Sequence, residues 1–423
     1  MKARENVHFE AKPPEAEAAS SNQSKAATTD EAVIRVVTRI ADLDAAAWDA
    51  LAGESPVIRH AFLQALETTG CVGAPIGWEP VHLALFRDDR LVAAMPLYVK
   101  HHSWGEFVFD WAWADAYRRH GLNYYPKLVC CAPFSPVPGP RLLASNDADR
   151  ATLIQAALTL THDTGCSSFH LLFPAEADHA VLNARSGASA QDTDSPDEHA
   201  RASAFGPLLH RSGFQFHWHN ARYAAFDDFL AALSHDKRKK IRQERKKLAA
   251  LGVSFRWVEG RDSTDADWSH FWRCYADTYA RHRSDPHLNP EFFAALRDTM
   301  PDNLVLIIAD RDGEPVACSF CLKDSERLYG RHWGTLEYLP GLHFETCYQQ
   351  GIEYAIARGL KVFEGGAQGE HKLARGLVPT ATHSWHWLEN TEFRQAVDRF
   401  LERETDAIAH YMDELEGPYR HTP

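Results

Sequence analysis

Two stretches of the chain read alike and decide its fold. Residues 81–98 read VHLALFRDDRLVAAMPLY, and residues 305–322 read VLIIADRDGEPVACSFCL, at a constant offset of 224 positions. Each consists of an apolar run, a charged turn with Asp-Asp or Asp-Gly at its tip, and a second apolar run, which is the signature of a β-hairpin. A hairpin that occurs twice predicts that the chain holds two copies of one structural unit.

Outward from the second hairpin, hydrophobic periodicity predicts the element order β-α-α-β-β-β-α-β-α-β. Its strongest helix is expected at residues 344–358, with apolar residues four apart and Gly359 at the end. The first half follows the same order, with the strand after its hairpin expected at 107–111 and an extra segment at 122–141. The fold class is therefore predicted to be α/β, with two tandem domains whose mixed sheets are flanked by helices.

Composition sets the domain limits. The chain has 423 residues, of which 45% are hydrophobic, and this is more than one ordinary core accommodates. Residues 1–30 and 184–204 are rich in small and polar residues, so we expect a disordered tail and a disordered insertion. The expected domains are then 31–222 and 223–390, with a basic helix at 236–247 and a C-terminal helix at 391–423.

The same composition bears on location and partners. No apolar run reaches the roughly 20 residues of a bilayer span, so we expect no membrane span and a cytoplasmic protein. The eight cysteines lie in apolar segments, which favours buried, reduced thiols. The net charge of -13 is that of a mildly acidic globular protein, and no DNA partner is expected.

Six segments together resemble a known family. The chain is similar to the FemAB-like predicted N-acyltransferases, relatives of the Fem enzymes that add amino acids to peptidoglycan precursors, which are built as two GNAT-like domains. The resemblance implies transfer of an acyl or aminoacyl group from an activated donor to an amine acceptor, with a cell-wall precursor as one candidate acceptor. The matching segments are PFSPVPGPR (133–141), HWHNARY (217–223), DKRKKIRQERKK (236–247), LYGRHWG (328–334), LHFETCY (342–348) and EGGAQGEHKLARG (364–376).

One segment departs from the GNAT pattern. GNAT enzymes hold the pyrophosphate of coenzyme A on an Arg/Gln-x-x-Gly-x-Gly/Ala turn after the fourth strand, whereas residues 336–346 read LEYLPGLHFET with only Gly341. Acyl-CoA and aminoacyl-tRNA therefore both stay open as donors, and no tightly bound cofactor is expected.

Catalytic candidates follow from the resemblance, which implies a GNAT-like sheet whose fourth strand, expected at 328–333, and fifth strand, expected at 360–364, splay apart around the acyl group. Alternation predicts that Gly330 and His332 share one face of the fourth strand, with Tyr329, Arg331 and Trp333 on the other. Of these, Arg331 and Trp333 are expected to line the substrate site. Tyr329 is a candidate to return a proton to the leaving group.

Two residues are candidates for the base that deprotonates the amine. Glu364 ends the fifth strand, where partial burial would raise its pKa, although a carboxylate there could instead order the following turn. His332 is the second candidate because histidine titrates near neutrality, the alternative being a packed strand histidine.

A glycine-rich turn and an arginine supply the binding candidates. Backbone N–H groups of such a turn could hold a phosphate or carboxylate, and the side chains that follow add charge, the alternative being a solvated loop. Arg141 could clamp an anion or form part of a rigid wall. The predicted binding residues are Gly365, Gly366, Gln368, Gly369, Glu370, His371, Lys372, Arg375 and Arg141.

The segment 236–247 carries eight basic residues against two acidic ones, which indicates either an anion site or a solvated helix face. A non-catalytic ligand-binding or RNA-binding module that uses this helix is the rival to the transferase. No metal site is predicted, because Cys318 and Cys321 point to opposite faces of a strand and the pair His217 and His219 lacks a third ligand.

Overall fold

The computed structural model describes residues 32–187, 205–366 and 369–416. The predicted disordered tail lies outside the described residues, as does most of the predicted insertion at 184–204. The first four residues of that insertion are helical, since they end the helix Glu176–Gly187. Within the described ranges, no helix is long and apolar enough to cross a membrane.

The first half alternates short strands with helices. Its elements are β1 (Ala32–Val37), α1 (Ala45–Ala52), α2 (His60–Thr68), β2 (Trp78–Pro80), β3 (His82–Arg87), β4 (Arg90–Met95), β5 (Leu97–Lys100), α3 (Trp111–Arg119), β6 (Lys127–Cys130), β7 (Leu143–Ala144), α4 (Asp147–Asp163), β8 (Ser168–Leu172), α5 (Glu176–Gly187) and β9 (Leu209–His219).

The second half repeats the pattern with longer strands. Its elements are α6 (Phe226–Ala232), α7 (His235–Ala250), β10 (Val253–Glu259), α8 (Asp265–Arg281), α9 (Pro290–Thr299), β11 (Leu304–Arg311), β12 (Glu314–Lys323), β13 (Arg327–Thr335), α10 (Leu342–Phe344), a π-helical turn (Glu345–Gln349), α11 (Gln350–Ala357), β14 (Val362–Glu364), a 3-10 turn (Glu370–Arg375), β15 (Val378–Leu388) and α12 (Thr391–Glu416).

The two hairpins confirm the internal repeat in detail. Asp88 and Asp312, equivalent residues at the two turn tips, both have positive φ, as a tight hairpin turn requires. Each hairpin also carries a β-bulge, between Leu85 and Phe86 in the first and between Ala309 and Asp310 in the second. Because these bulges fall at equivalent positions, the two halves share a backbone irregularity as well as a sequence pattern.

One predicted strand of the first half is wrong. Residue Trp111 of the expected strand 107–111 begins helix α3 instead, and the strand in that place is β6, inside the segment described above as extra. Strand β6 is only four residues long and wholly buried, and it is held by parallel pairing with β8. So short a run carries no alternation from which a strand can be recognised.

The halves exchange their last strands. Strand β9, from the first half, pairs with β14 of the second, and β15, from the second half, pairs with β8 of the first. Strands β9 and β15 also pair with each other, so eleven strands form one sheet in the order β10-β11-β12-β13-β14-β9-β15-β8-β6-β5-β2. The predicted boundary between residues 222 and 223 divides the chain but does not divide the sheet.

Side chains join the halves as well. Phe62 on α2 packs edge-on against Phe292 on α9, with ring centroids 5.4 Å apart, inside one apolar core that spans both halves. Helix α12 crosses to the first half, where Val397 and Leu401 are buried with Trp113. The same helix also lies along β9 and β15, so it packs on both halves of the molecule.

Candidate functional site

The parallel strands β13 and β14 separate after three residue pairs, of which the last is Tyr329 with Glu364. Strand β14 ends there, while β13 continues to Thr335 along β12. The resulting opening holds a cavity of 120 Å³, lined by residues 330–333, Phe363, Gly365 and Tyr348 among others. We call it the outer cavity, because it lies on the side of the sheet covered by α10 and α11.

A β-bulge at Arg331 changes which residues share a face of β13. The register moves from Phe320 paired with His332 to Cys321 paired with Gly330, so Arg331 is the extra residue. His332 therefore lies on the face of Tyr329, and Trp333 packs on the opposite face near His343, 5.1 Å between centroids. The simple alternation predicted for this strand is wrong, because a bulge adds one residue without changing the local sequence pattern.

Glu364 is a buried carboxylate with one oxygen unused. Its side chain is 3% exposed, and its Oε1 accepts a hydrogen bond from Arg327 Nη1 at 2.9 Å. No group in the described part of the chain hydrogen-bonds to Oε2, and the nearest imidazole nitrogen, His217 Nε2, is 3.9 Å away. Burial raises the pKa of Glu364 to about 7, while the charge of Arg327 opposes that rise.

A second cavity lies on the other face of the sheet. It has a volume of 350 Å³, and its walls include Arg327 and Tyr329 from β13 and Glu54 and His383 from across the gap. We call it the inner cavity. Tyr329 donates its hydroxyl hydrogen to Asp324 Oδ2 at 2.5 Å, so the proton proposed for a leaving group is already engaged.

Arg331 and His332 are held by the protein around them. Arg331 Nη2 donates to the carbonyl of Phe134 at 2.6 Å, and burial lowers its pKa to about 10, which leaves it cationic at neutral pH. His332 packs among rings, with Tyr275 at 4.8 Å and Phe320 at 6.0 Å. Burial lowers the pKa of His332 well below its usual range, so this imidazole is a weak base and the geometry favours Glu364 for that role.

The glycine-rich turn bonds mainly to the protein itself. The N–H of Gly365 donates to the carbonyl of Phe216 at 2.8 Å, so it does not point to a bound anion, which corrects the prediction for that residue. The carbonyl of Gly366 accepts from the Phe216 N–H at 3.1 Å and from Lys372 Nζ at 3.0 Å. Gly369 has a φ of 103°, which requires glycine. Gln368 and the side chain of Glu370 lie outside the described residues.

The basic residues that follow the turn, Lys372 and Arg375, also bond to other groups of the protein. Lys372 is buried, and burial lowers its pKa to about 8. Arg375 is buried as well, and its Nη1 forms an ion pair with Glu244 Oε2 at 2.6 Å. Their predicted role as presented anion ligands is therefore wrong, because both cations fasten the turn to its surroundings. His371 is exposed, and its Nε2 lies 3.3 Å from the hydroxyl of Tyr348.

Arg141 was predicted to clamp an anion, and this is also wrong. Its side chain is fully buried and donates to three backbone carbonyls. The acceptors are Leu172 at 2.9 Å, Val137 at 2.7 Å and Pro140 at 3.1 Å. These bonds fix the proline-rich segment 133–141 at the end of β8. This arrangement matches the alternative role of Arg141 as part of a rigid wall.

Helix α7 contains the predicted basic helix. Some of its cations bond to other parts of the protein, and the others are exposed to solvent. Arg245 pairs with Glu345 at 2.8 Å and with Glu353 at 2.6 Å, and Arg238 donates to the carbonyl of Ala231 at 3.1 Å. The exposed cations are Lys239, Lys240, Arg242, Lys246 and Lys247. Three of them, Lys239, Arg242 and Lys246, border an open groove of 420 Å³ along the helix surface.

Two residues beside the Glu364 carboxylate, Arg327 and His217, are not among the predicted site residues. Arg327 precedes Tyr329 by two residues, so strand alternation places both on one face, and this signal was available. His217 was noted only as half of a metal pair. Its place beside Glu364 depends on β9 pairing with β14, which no local pattern indicates.

Comparison with known proteins settles the family. A family model described as FemAB-like, peptidoglycan biosynthesis/recognition, matches residues 39–421. The chain belongs to the FemAB-like family. This FemAB-like protein also aligns with the crystal structure of FemX at 10% identity, over 84% of this chain and 98% of that one, with a TM-score of 0.50. That similarity shows the fold, two tandem GNAT-like domains.

Two further solved structures align over most of the FemAB-like chain. A tandem GNAT protein from the clavulanic acid biosynthesis pathway is 11% identical over 85% of this chain and 99% of that one, with a TM-score of 0.43. The C-terminal domain of a putative lysylphosphatidylglycerol synthetase from Agrobacterium fabrum is 9% identical over 86% and 96%, with a TM-score of 0.47. No curated protein sequence matches the chain.

Replacing Arg327 tests the electrostatics of Glu364. In Arg327→Met the pKa of Glu364 should rise further, because its counter-charge is lost while its burial remains. At pH 8 the unpaired carboxylate should then lower the free energy of unfolding by about 1–2 kcal/mol, a modest value because Arg327 is 43% exposed and partly screened by water. At pH 5 Glu364 is protonated, and the loss should be smaller. Urea unfolding at both pH values measures the difference.

Arg358→Met is the matched control. Arg358 is 49% exposed and pairs with Glu259, whose pKa is held below its usual value by hydrogen bonds from Lys323 and Arg358 that outweigh the opposing effect of burial. That carboxylate stays ionised at both pH values, so the loss should be the same at each. Equal losses at both pH values for Arg327→Met would contradict a raised pKa at Glu364.

Proposed function

We propose that the protein is an N-acyltransferase that moves an acyl or aminoacyl group from an activated donor to an amine. The observation that carries the proposal is the opening between β13 and β14, which ends at a buried carboxylate with an unused oxygen. Family membership supports the same class of reaction. A cell-wall precursor with a free amine is the acceptor that this family description favours.

Glu364 would accept a proton from the acceptor amine. An amine attacks a carbonyl only in its neutral form, and a carboxylate with a pKa of about 7 is both ionised and basic enough to take a proton near neutrality. The unused Oε2 gives the proton a place to go. The acceptor would approach from the inner cavity, whose wall includes Arg327, the hydrogen-bond donor to Glu364, and Tyr329, its partner in the strand pair.

The bulge in β13 would hold the developing oxyanion. A bulged residue is left out of the regular strand ladder, so its backbone groups are free to face a ligand. At Arg331 this occurs where the strand borders the outer cavity. A backbone N–H at that point would stabilise the negative charge of the tetrahedral intermediate.

The surroundings of α10 favour a donor other than coenzyme A. The glycine that begins this helix, Gly341, is covered by α7, where a Cβ atom on it would lie 3.8 Å from Glu244 Cβ. The next residue, Leu342, is buried with Leu248 of α7. The place where a GNAT enzyme holds pyrophosphate is therefore partly covered by α7, and the exposed lysines of α7 offer a polyanion such as aminoacyl-tRNA a different surface.

Glu364→Gln should lower turnover by about 10²- to 10⁴-fold, the usual contribution of a general base. The wild-type rate should rise with pH through about 7 and then level off, because Glu364 must be deprotonated to act. Transfer of a labelled amino acid from aminoacyl-tRNA, or of an acetyl group from acetyl-CoA, to an amine-bearing precursor measures both effects. Glu326→Gln, on the exposed turn before β13, should leave the rate unchanged, whereas unchanged turnover in Glu364→Gln would remove Glu364 from this role.

The second test concerns the donor. Replacing four exposed lysines of α7 by Gln should weaken the binding of deacylated tRNA. The slope of log K against log salt concentration should become shallower by about three, since each phosphate contact contributes about 0.7 to 0.9 to that slope. Filter binding at several salt concentrations measures this. The four lysines are Lys239, Lys240, Lys246 and Lys247.

The matched control removes four exposed arginines elsewhere, namely Arg90, Arg119, Arg399 and Arg403. An equal loss of binding in this control would contradict a specific role for α7. Saturable binding of acetyl-CoA without binding of tRNA would assign a thioester donor. Salt-sensitive tRNA binding through α7 without transfer from either donor would favour the non-catalytic module.

A further inference from the structure

Three histidines from distant parts of the sequence meet at the joint between the halves. They are His179 on α5, His210 on β9 and His383 on β15, and one ring nitrogen from each lies within 4.8 Å of the other two. His210 Nε2 and His383 Nδ1 are 3.0 Å apart. We propose that these three imidazoles form a binding site for a divalent transition-metal ion of the Zn²⁺ class.

The donor set fits that ion. Neutral imidazole nitrogens suit Zn²⁺ and its neighbours in the first transition row, and a site with three protein ligands leaves a fourth position open. The three side chains are half-buried, so an ion would be partly shielded and still reachable from solvent. They come from one helix and two paired strands, so the protein positions two of the three ligands rigidly.

Neighbouring groups support the same assignment. Trp385 Nε1 donates to His179 Nδ1 at 3.3 Å, which leaves Nε2 of His179 as the nitrogen free to bind a metal. Glu176 lies one helical turn before His179, so the two residues share a face of α5. Glu176 and His383 also line the same cavity, the inner cavity between the halves. This carboxylate can supply the fourth ligand.

The rings must adjust for the ion to bind. Those of His179 and His383 are stacked 3.9 Å apart and only 13° from parallel, so their lone pairs do not yet converge on one point. Binding requires the stacked rings to tilt until both nitrogens face a common centre. His179 is the residue to move, because it is carried by a helix, whereas His210 and His383 are fixed in the β9–β15 pairing.

The position of the site gives the ion two effects. It would tie α5 and β9 of the first half to β15 of the second, and so strengthen the joint between them. His383 and Glu176 also border the inner cavity, opposite Arg327 and Tyr329. The open coordination position therefore lies at the edge of that cavity, within reach of a carboxylate or water. The metal site does not depend on the proposed transfer reaction.

Metal titration of the full chain tests the proposal. Protein stripped with a chelator is titrated with Zn²⁺ in competition with a chromophoric chelator, and with Co²⁺ as a spectroscopic substitute. We expect one equivalent of Zn²⁺ to bind and to raise the melting temperature, as a ligand specific to the folded state must. One equivalent of Co²⁺ should show the visible absorption of a low-symmetry, four-coordinate ion. Absence of stoichiometric binding would overturn the proposal.

Variants locate the site. His210→Gln and His383→Gln should each weaken Zn²⁺ binding by more than the roughly 10- to 100-fold that loss of an outer partner costs. His179→Gln, on the helix, provides the same test if a strand variant fails to fold. His410→Gln, at an exposed helix position, and His219→Gln, in the other histidine pair, should bind like the wild type. Unchanged binding in the first three variants, or a loss confined to the His219 variant, would overturn the assignment.

Discussion

The pairing of β9 with β15 is the constraint on which the rest of the structure depends. Nine residue pairs, from Val378 with His217 to His386 with Leu209, join the two strands along the centre of the sheet. Each strand has its other edge on the opposite half of the molecule, β9 on β14 and β15 on β8. Buried backbone groups need partners, so neither half can separate without leaving a strand edge unpaired. The two GNAT-like units are therefore one folding unit.

This exchange also builds the candidate site. The strand that carries Glu364 is held on one side by β13 and on the other by β9, which places His217 beside the carboxylate and receives the N–H of Gly365. The first half has the equivalent opening between β6 and β8, which also pair in parallel over three residues. There the buried Arg141 side chain bonds to the carbonyl of Leu172 at the end of β8. One copy of the repeat is thus closed by its own chain, and the other keeps its cavity and its buried carboxylate.

Local pattern in the sequence was enough to predict the repeated hairpin, the helices of the second half and the position of Glu364 at a strand end. It failed where structure depends on distant residues. The exchange of β9 and β15 leaves no trace in either strand's own pattern, and the burial of Arg375 depends on Glu244, 131 residues earlier. The bulge at Arg331 directly follows Gly330, and a glycine inside a strand is a local sign of a bulge, but strict alternation does not take it into account and assigned the faces of β13 wrongly. The three histidines at the joint are likewise separated by 31 and 173 residues, and no spacing rule connects them.

The central claim is that the second half cannot form its site without the strand supplied by the first. Expressing residues 32–222 and 223–416 separately and together, and following each by circular dichroism and thermal unfolding, tests it most directly. The account predicts that neither piece alone unfolds cooperatively and that the two together recover a stable complex with one shared transition. An isolated second half that is monomeric and unfolds cooperatively would contradict the account, because its sheet would then be complete without β9.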